Sequence, residues 1–453
     1  MGVKRLKELR SRALKMADGH PCGTGLKLLL VFLLISNFYL DSRAQTMLDD
    51  YILKAKENSP LLFDNKQQSQ INQLEADRLK ALYTKPQITV TAGYMFAPII
   101  RKENDRTYLD PNAYTADNYS GYDLAASNGG MYQGLINYSQ PLFNNYQYKA
   151  YANQAYVNKQ INENNVNLTE HDVEKLVTDQ YLLCLLDENQ LQFADSMLSI
   201  LEEQIGIVEK LVENSIMKQS DLTLLKIEYQ NNLGLFTTYK ATYKRDLMDL
   251  NVLCGINDTS AVMLQGIELY VKEEEDVRAS AYLKKYKLDS LNIISTQKIF
   301  ERKYKPQINL YSNAGLNAVY APTIGNRFGM SAGLNLTWNI FDGNQKDITR
   351  KKTNLQLESV AFYRNNFLSQ NNVRKSKILS ELRSYENREA IAEVQLNDYA
   401  SLLASYKREI VQGQLSVLTY ITTLKNMTKA RRDYLVLETN RLLLVNAYNY
   451  WNW

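Results

Sequence analysis

Apolar and polar residues alternate one by one in four stretches of the chain and recur at helical spacing through most of the rest. In the clearest stretch Ala332, Leu334, Leu336, Trp338 and Ile340 interleave with Ser331, Gly333, Asn335, Thr337 and Asn339. That is the period of a strand with one apolar and one polar face. Ile308, Leu310, Ala314 and Leu316 alternate with Gln307, Asn309, Tyr311 and Asn313, with Ser312 breaking the apolar row. Ile88, Val90, Ala92, Tyr94 and Phe96 alternate with Thr89, Thr91 and Gly93, and residues 132–142 form a noisier fourth run. Each run has about ten residues, the length of a tilted membrane-spanning strand. The edge of a soluble β-sandwich has the same period.

The helical pattern is long. Between Gln345 and Gln412 there is neither Pro nor Gly. Ile378, Tyr385, Ala392, Tyr399 and Tyr406 recur every seventh residue, and Leu382, Leu396, Leu403 and Ile410 hold the second seam position, with Glu389 as the exception. This predicts a coiled-coil helix roughly 100 Å long. Asn145 to Asn214, interrupted only by Gly206, predicts its counterpart. Each ends in a short turn, Glu213 to Ser220 and Gln412 to Ser416, and returns as a second helix over 220–254 and 416–449, with Ser220 and Ser416 as the expected N-caps.

The plan is written twice. Lys85-Pro86-Gln87-Ile88 recurs as Lys305-Pro306-Gln307-Ile308, and Gly130-Met131 with Gly134-Leu135 as Gly329-Met330 with Gly333-Leu334. Gln140 to Asn144 recurs loosely as Trp338 to Asp342, and Ser220 to Leu225 as Ser416 to Ile421. Four markers in one order argue for a two-fold pseudo-repeat inside one protomer. The expected division is 1–44 a targeting segment and 45–254 a first repeat with a strand hairpin at 86–142 and a long helix pair at 145–254. A joining segment follows at 255–275, then a second repeat at 276–453 with a hairpin at 306–341 and a helix pair at 345–449. Short helical pieces open each repeat, 47–57 and 61–84, then 277–288 and 289–304. The Lys-Pro pairs end them, because proline lacks an N–H and restricts the residue before it. A short strand is expected at Ile267 to Val271, and the acidic run Glu273 to Asp276 reads as a solvated face. The 98–130 segment, rich in Asn, Asp, Tyr and Gly, reads as a long solvated loop.

Composition narrows the chemistry. Seven Lys and Arg between Lys4 and Lys27, an apolar stretch from Leu26 to Leu40 and the small-residue exit Ser42-Arg43-Ala44 form a secretory signal peptide, with Met16 a second candidate start. No cysteine follows that stretch closely, so no lipid anchor is expected. The formal charge of +4 comes from this segment, and the remainder is near −1, which gives no case for nucleic acid. Cys184 and Cys254 lie in helical patterns without a CxxC partner, and read as buried thiols or one disulfide. His171 is the only histidine after the targeting segment, so His-based metal sites and triads have almost no foothold. No phosphate-cradling or dinucleotide motif is present, and no catalytic, cofactor or metal residue is expected. Trp451 and Trp453 read simply as the end of a helix.

Four strands cannot close a barrel, and an open edge is not tolerated in lipid. If these strands span a membrane, copies must pool them. Three copies give twelve, with polar faces lining a lumen and the helices forming a tube continuous with it. A periplasmic coiled-coil scaffold or adaptor without a barrel is the alternative.

The stretch Gly413-Gln414-Leu415-Ser416-Val417-Leu418-Thr419-Tyr420-Ile421, followed by Ala430-Arg431 and Asp433-Tyr434-Leu435, resembles the glycine–serine turn and returning helix of the TolC outer-membrane factor family. Ala55 to Pro60, Pro141-Leu142-Phe143, Ile340-Phe341-Asp342-Gly343 and Leu250 to Gly255 also resemble it. The resemblance implies an α+β membrane protein with long antiparallel coiled-coil helices and four transmembrane β-strands per chain. The implied homotrimer forms a twelve-stranded β-barrel in the outer membrane of a Gram-negative bacterium and a twelve-helix periplasmic tunnel. The implied function is the passive outer-membrane channel of a tripartite efflux pump or type I secretion system. Its implied partners are a periplasmic adaptor and an inner-membrane RND, ABC or MFS transporter. Ser215, Ser220, Asp221, Gly413, Leu415 and Ser416 would then sit at the tunnel tip and meet the adaptor. Where the family carries acidic residues past the turn, this chain has Thr419 and Thr422, a milder candidate constriction. Asp221 at the other turn is the weaker acidic candidate.

Overall fold

The computed structural model describes residues 47–110, 119–120, 129–143, 145–274 and 280–453. The expected signal peptide, much of the 98–130 loop and the last two residues of the acidic run lie outside the described residues. Helices α1 (Leu48–Asn58) and α2 (Pro60–Thr84) come first. Ser59 separates them, its hydroxyl accepting the Leu62 N–H while Pro60 starts the next helix. Strands β1 (Gln87–Ala97), β2 (Ile99–Glu103), β3 (Arg106–Asp110), β4 (Tyr119–Ser120) and β5 (Gly129–Leu142) follow. Then come α3 (Asn145–Glu213) and α4 (Gln219–Leu253). The second half runs α5 (Ala281–Glu301), β6 (Gln307–Ala318), β7 (Phe328–Thr337), α6 (Gln345–Val411) and α7 (Val417–Trp451).

Several elements differ from the sequence reading. The pieces expected at 277–288 and 289–304 are one helix, α5, opened by Ser280, whose hydroxyl accepts the Tyr282 N–H, and closed by a 3-10 turn at Arg302–Tyr304. The solvated loop holds a small sheet of order β3-β2-β4. Asn104 and Asp105 both have positive φ (49° and 57°) and join β2 to β3 by a two-residue turn of the kind that matches strand twist. The strand expected at Ile267 to Val271 is extended chain instead. Side chains hold its neighbourhood. Tyr181 Oη accepts the Gln265 N–H at 3.0 Å and donates to the Gln265 carbonyl at 2.8 Å. Asn449 Oδ1 accepts the Lys272 N–H at 2.9 Å, and its amide donates to the Tyr270 carbonyl at 2.9 Å. The last strand ends at Thr337, so Trp338 and Ile340 lie beyond it.

The helices α3 and α6, of 69 and 67 residues, each rise about 100 Å at 1.5 Å per residue. Each folds back on its successor, α3 on α4 and α6 on α7. The predicted α6 seam is the buried side. Ile378, Leu382, Leu403 and Ile410 are buried and the seam tyrosines half-buried. The exception Glu389 is answered by Arg441 of α7, whose Nε donates to it at 2.7 Å. Three apolar clusters result: one near the hairpin tips (Leu201, Leu225, Ile410, Tyr420, Leu424), one where α1, α3, α4 and residues 254–267 meet (Tyr51, Tyr181, Leu247, Leu250), and one between α6 and α7 (Ile378, Leu382, Val445, Tyr448). Cys184 and Cys254 are buried free thiols in the second.

The C-terminus does more than end a helix. Trp453 stacks on His171 at 3.9 Å between ring centroids, and His171 stacks also on Tyr450 at 4.8 Å. Arg374 lies 4.1 Å over the Trp451 ring. The His171 ring packs against these aromatics, its Nε2 2.9 Å from the Tyr450 carbonyl. The His171 imidazole beside it and then Lys56 lower the pKa of Glu174 to about 2, against the upward push of burial.

Candidate conduit surfaces

Strands β1, β5, β6 and β7 form one antiparallel sheet in that order. Its register sorts the side chains by face, with Gln140 and Ser312 the polar exceptions on the apolar side and Met95, Met131 and Leu135 the apolar ones on the polar side. Ile88 pairs with Tyr138, Val90 with Ile136, Ala92 with Gly134 and Tyr94 with Tyr132. Across the sheet Ile136 pairs with Ala314 and Gly134 with Leu316, then Ile308 with Leu336, Leu310 with Leu334 and Leu316 with Phe328. Because successive side chains point to opposite faces, all of these lie on one face. The other face carries Thr89, Thr91, Gln133, Asn137, Ser139, Asn309, Asn313, Ser331 and Asn335. There Asn137 Nδ2 donates to Thr91 Oγ1 at 2.8 Å, and the Ser331 hydroxyl to Asn313 Oδ1 at 2.8 Å.

None of the four strands contains a charged residue. Charges stand just outside them, with Lys85 and Lys305 before β1 and β6 and Arg327 before β7. No helix covers the apolar face. Val90 is 76% exposed, Met330 80% and Leu334 67%. Beyond the junction of α2 with β5, the helices and the sheet hardly touch. A row of apolar side chains this bare in water would be a strong aggregation site. Lipid removes that penalty. The edges β1 and β7 each have one unpaired side among the described residues.

At the far end of the helices the two hairpin turns lie side by side. Both helix ends use one device. Ile216 N–H bonds to the Leu211 carbonyl and Ser215 N–H to that of Val212. In the other turn Gln414 N–H bonds to Glu409 and Gly413 N–H to Ile410. Each is a Schellman cap needing a left-handed residue, supplied by Ser215 (φ 61°) and Gly413 (φ +69°). The cap positions that follow are Lys218 and Ser416. Ser416 accepts the Leu418 N–H at 3.2 Å, as expected. Ser220 is not a cap: α4 begins at Gln219, and Ser220 is an exposed residue in its first turn. The capping register thus matches Lys218 to Ser416, two residues away from the sequence match of Ser220 to Ser416. It places Asp221, whose carboxylate accepts the Lys218 N–H at 3.3 Å, at the same helical position as Thr419. Thr419 and Thr422 are exposed, and the Thr422 hydroxyl donates to the Leu418 carbonyl at 2.8 Å. Leu415 is half-buried against the tip cluster.

The two left-handed positions give an internal control. A non-glycine residue there costs about 1–2 kcal/mol. Ser215→Gly is expected to raise stability by about 1 kcal/mol. Gly413→Ser is expected to lower it by at least as much, because a Cβ at Gly413 meets Ile216 Cγ2 at 3.3 Å. Thermal unfolding of the detergent-solubilised variants checks both signs.

No protein-family model matches this chain, and no curated protein matches it in sequence. Solved structures do match in shape. The outer membrane protein VceC of Vibrio cholerae aligns over 89% of this chain and 96% of its own, at 13% identity and a TM-score of 0.65. The CmeC outer membrane channel of Campylobacter jejuni aligns over 89% and 85%, at 12% identity and 0.65. The open-state MtrE outer membrane channel of Neisseria gonorrhoeae aligns over 89% and 88%, at 12% identity and 0.66. The chain has the TolC-type outer-membrane channel fold. At such identities the likeness is one of backbone rather than of shared residues. No helix among the described residues is long and apolar enough to cross a membrane.

Proposed function

We propose that this chain is one third of an outer-membrane channel, conducting solutes passively from the periplasm to the exterior of a Gram-negative cell. The reading has it exported by the signal peptide at 1–44 and built of two pseudo-repeats joined at 255–275. One observation carries it: a four-stranded sheet without a charge, one face mostly apolar and uncovered, the other lined mainly by amides and hydroxyls. Lipid on the first face and water on the second is the arrangement that leaves neither unsatisfied. The free edges of β1 and β7 call for neighbours, and three copies supply twelve strands. The α3–α4 and α6–α7 hairpins then extend the conduit on the periplasmic side as a helical tube.

On this reading the tip residues Ser215, Ser220, Asp221, Gly413, Leu415 and Ser416 meet a periplasmic adaptor, and an inner-membrane transporter of the RND, ABC or MFS type loads the tube. Thr419 and Thr422 line its narrowest part, with Asp221 at the matching position of the other hairpin. The duct itself needs no cofactor and performs no bond chemistry.

The deciding measurement is the protein mass of the particle extracted from the outer-membrane fraction in detergent. Three chains are expected. A single chain, or release without detergent, would replace the channel with the periplasmic scaffold reading.

A further inference from the structure

A row of cations runs down one side of α6, and its middle member has no counter-charge among the described residues. Arg350, Arg364 and Lys375 are spaced by 14 and 11 residues, close to whole numbers of turns at about 3.6 residues per turn. The upper member is answered by α5, where Glu301 Oε1 accepts from Arg350 Nε at 2.6 Å. The lower member, only 5% exposed, is answered by the joining segment, where Glu274 Oε1 accepts from Lys375 Nζ at 2.7 Å. Leu269 of the same segment packs on the cluster of Ile378 and Leu382. An extended stretch with one apolar anchor and one carboxylate is thus already docked on this side of α6.

Around the middle member lies a groove of about 430 Å³. Lys284 and Lys287 of α5 and Arg364 of α6 line it together with Leu283, Leu288 and Leu291. Leu283 and Leu288 are buried, and Leu291 is 38% exposed. The three cations are all exposed, and no carboxylate lines the groove. Among the described residues none of the three side chains has an ion pair or hydrogen bond. Asp289, the next carboxylate along α5, has Lys285 as its neighbouring cation.

The first repeat shows the compensated version. Leu62 is buried as Leu283 is, and Lys66 follows it by the same four residues that separate Lys287 from Leu283. Lys66 has Glu170 of α3 at 3.9 Å. In the second repeat like charges converge over an apolar floor with nothing to offset their repulsion, and a bound anion relieves it.

We infer that this groove takes an extended acidic peptide segment of a periplasmic partner protein. Its carboxylates meet Lys284, Lys287 and Arg364, and an apolar side chain meets Leu283, Leu288 and Leu291. The joining segment lies on the same side of α6, so in a conduit open along its length this side is the outside. That orientation rests on the channel reading above, whereas the binding chemistry does not. Arg364 lies roughly 30 Å along α6 from its sheet end and roughly 70 Å from its tip, so the groove is separate from both the membrane-facing sheet and the hairpin turns.

The probe is a fluorescent peptide copying residues 269–276, which joins apolar side chains to a run of Glu and Asp. It is titrated into the full chain in detergent and read by anisotropy. Saturable binding is expected, weakened about threefold by Lys284→Ala, Lys287→Ala or Arg364→Ala and about thirtyfold by all three together. Leu291→Ser is expected to weaken it as well, and Lys285→Ala, outside the groove, to leave it unchanged. A copy with Gln and Asn in place of Glu and Asp is expected not to bind, which keeps the inference testable should the triple variant fail to fold. Binding that survives the triple variant, or that is equal for the neutral copy, overturns the site. Loss on Lys375→Ala with the triple variant unaffected means that the probe only displaces the joining segment, and overturns it too. A groove that takes phosphatidylglycerol micelles but not the peptide overturns the choice of partner. The mass of the particle is read separately: a single chain that still binds the probe through Arg364 removes the channel reading and leaves the site.

Discussion

Lysine at Val90 or Leu334 is expected to remove the protein from the outer membrane. Both side chains lie on the apolar face of the four-stranded sheet, at 76% and 67% exposure, with no part of the described chain over them. If that face met water, replacing either would be nearly neutral, since surface substitutions usually stay within about 0.5 kcal/mol. If it meets hydrocarbon, each lysine near the midplane costs about 2–4 kcal/mol, and a three-copy barrel carries the penalty three times. The polar face supplies the control. Asn313→Lys and Asn335→Lys point the same charge into the proposed lumen and are expected to assemble. The check is the amount of each variant recovered from the outer-membrane fraction as a particle of three chains. Equal recovery from the two faces would sink the lipid assignment.

Much of this architecture was legible because it rests on local periodicity. The alternation through Ile88 to Phe96 and Ser331 to Thr337 could only be a two-faced strand, and the heptad from Ile378 to Ile410 could only be a long packed helix. What was not legible depends on partners far along the chain. Ile267, Leu269 and Val271 alternate as a strand does, yet the backbone nearby is held by Tyr181 and Asn449, roughly 85 and 180 residues away, through side-chain amide and hydroxyl groups. Trp453 lies on His171 and not on solvent, a contact no spacing announces. The tip was read two residues out of register because Ser220 looks like Ser416, whereas the helix start is set by the Schellman turn before it and falls at Lys218. The small sheet over 99–120 was missed although Asn104-Asp105 carries a turn signal. The surrounding polar composition outweighed two residues. The apolar face of the sheet was readable as a pattern, but its bareness was not, since that is a property of where the helices go.

A pH dependence is expected from Asp187, buried on α3 beside the half-buried Asp246 of α4. Asp187 is only 7% exposed and one of its oxygens has no hydrogen-bond partner among the described residues. Burial raises its pKa to about 7, and the hydrogen bond and charge of Asp246 on the facing helix push the same way, with Arg245 opposing weakly. Arg245 is engaged with Asp246 at 2.7 Å and remains largely in solvent. In the unfolded chain an aspartate releases its proton near pH 4. Between about pH 4 and 7 the folded protein therefore binds the extra proton, and stability falls as pH rises through that window. Above it the full penalty applies, on the order of 4 kcal/mol per protomer for a shift of this size. Asp187→Asn keeps the shape and removes the charge. Its unfolding temperature in detergent is expected to match the parent near pH 4 and to exceed it by several degrees at pH 8. Glu174 works in the opposite sense, its contribution lost only as pH falls from about 4.5 toward 2, so the two windows meet only near pH 4. Parallel melting curves for parent and Asp187→Asn across pH 4 to 8 would mean that no proton is held between the helices, and that water reaches the pair.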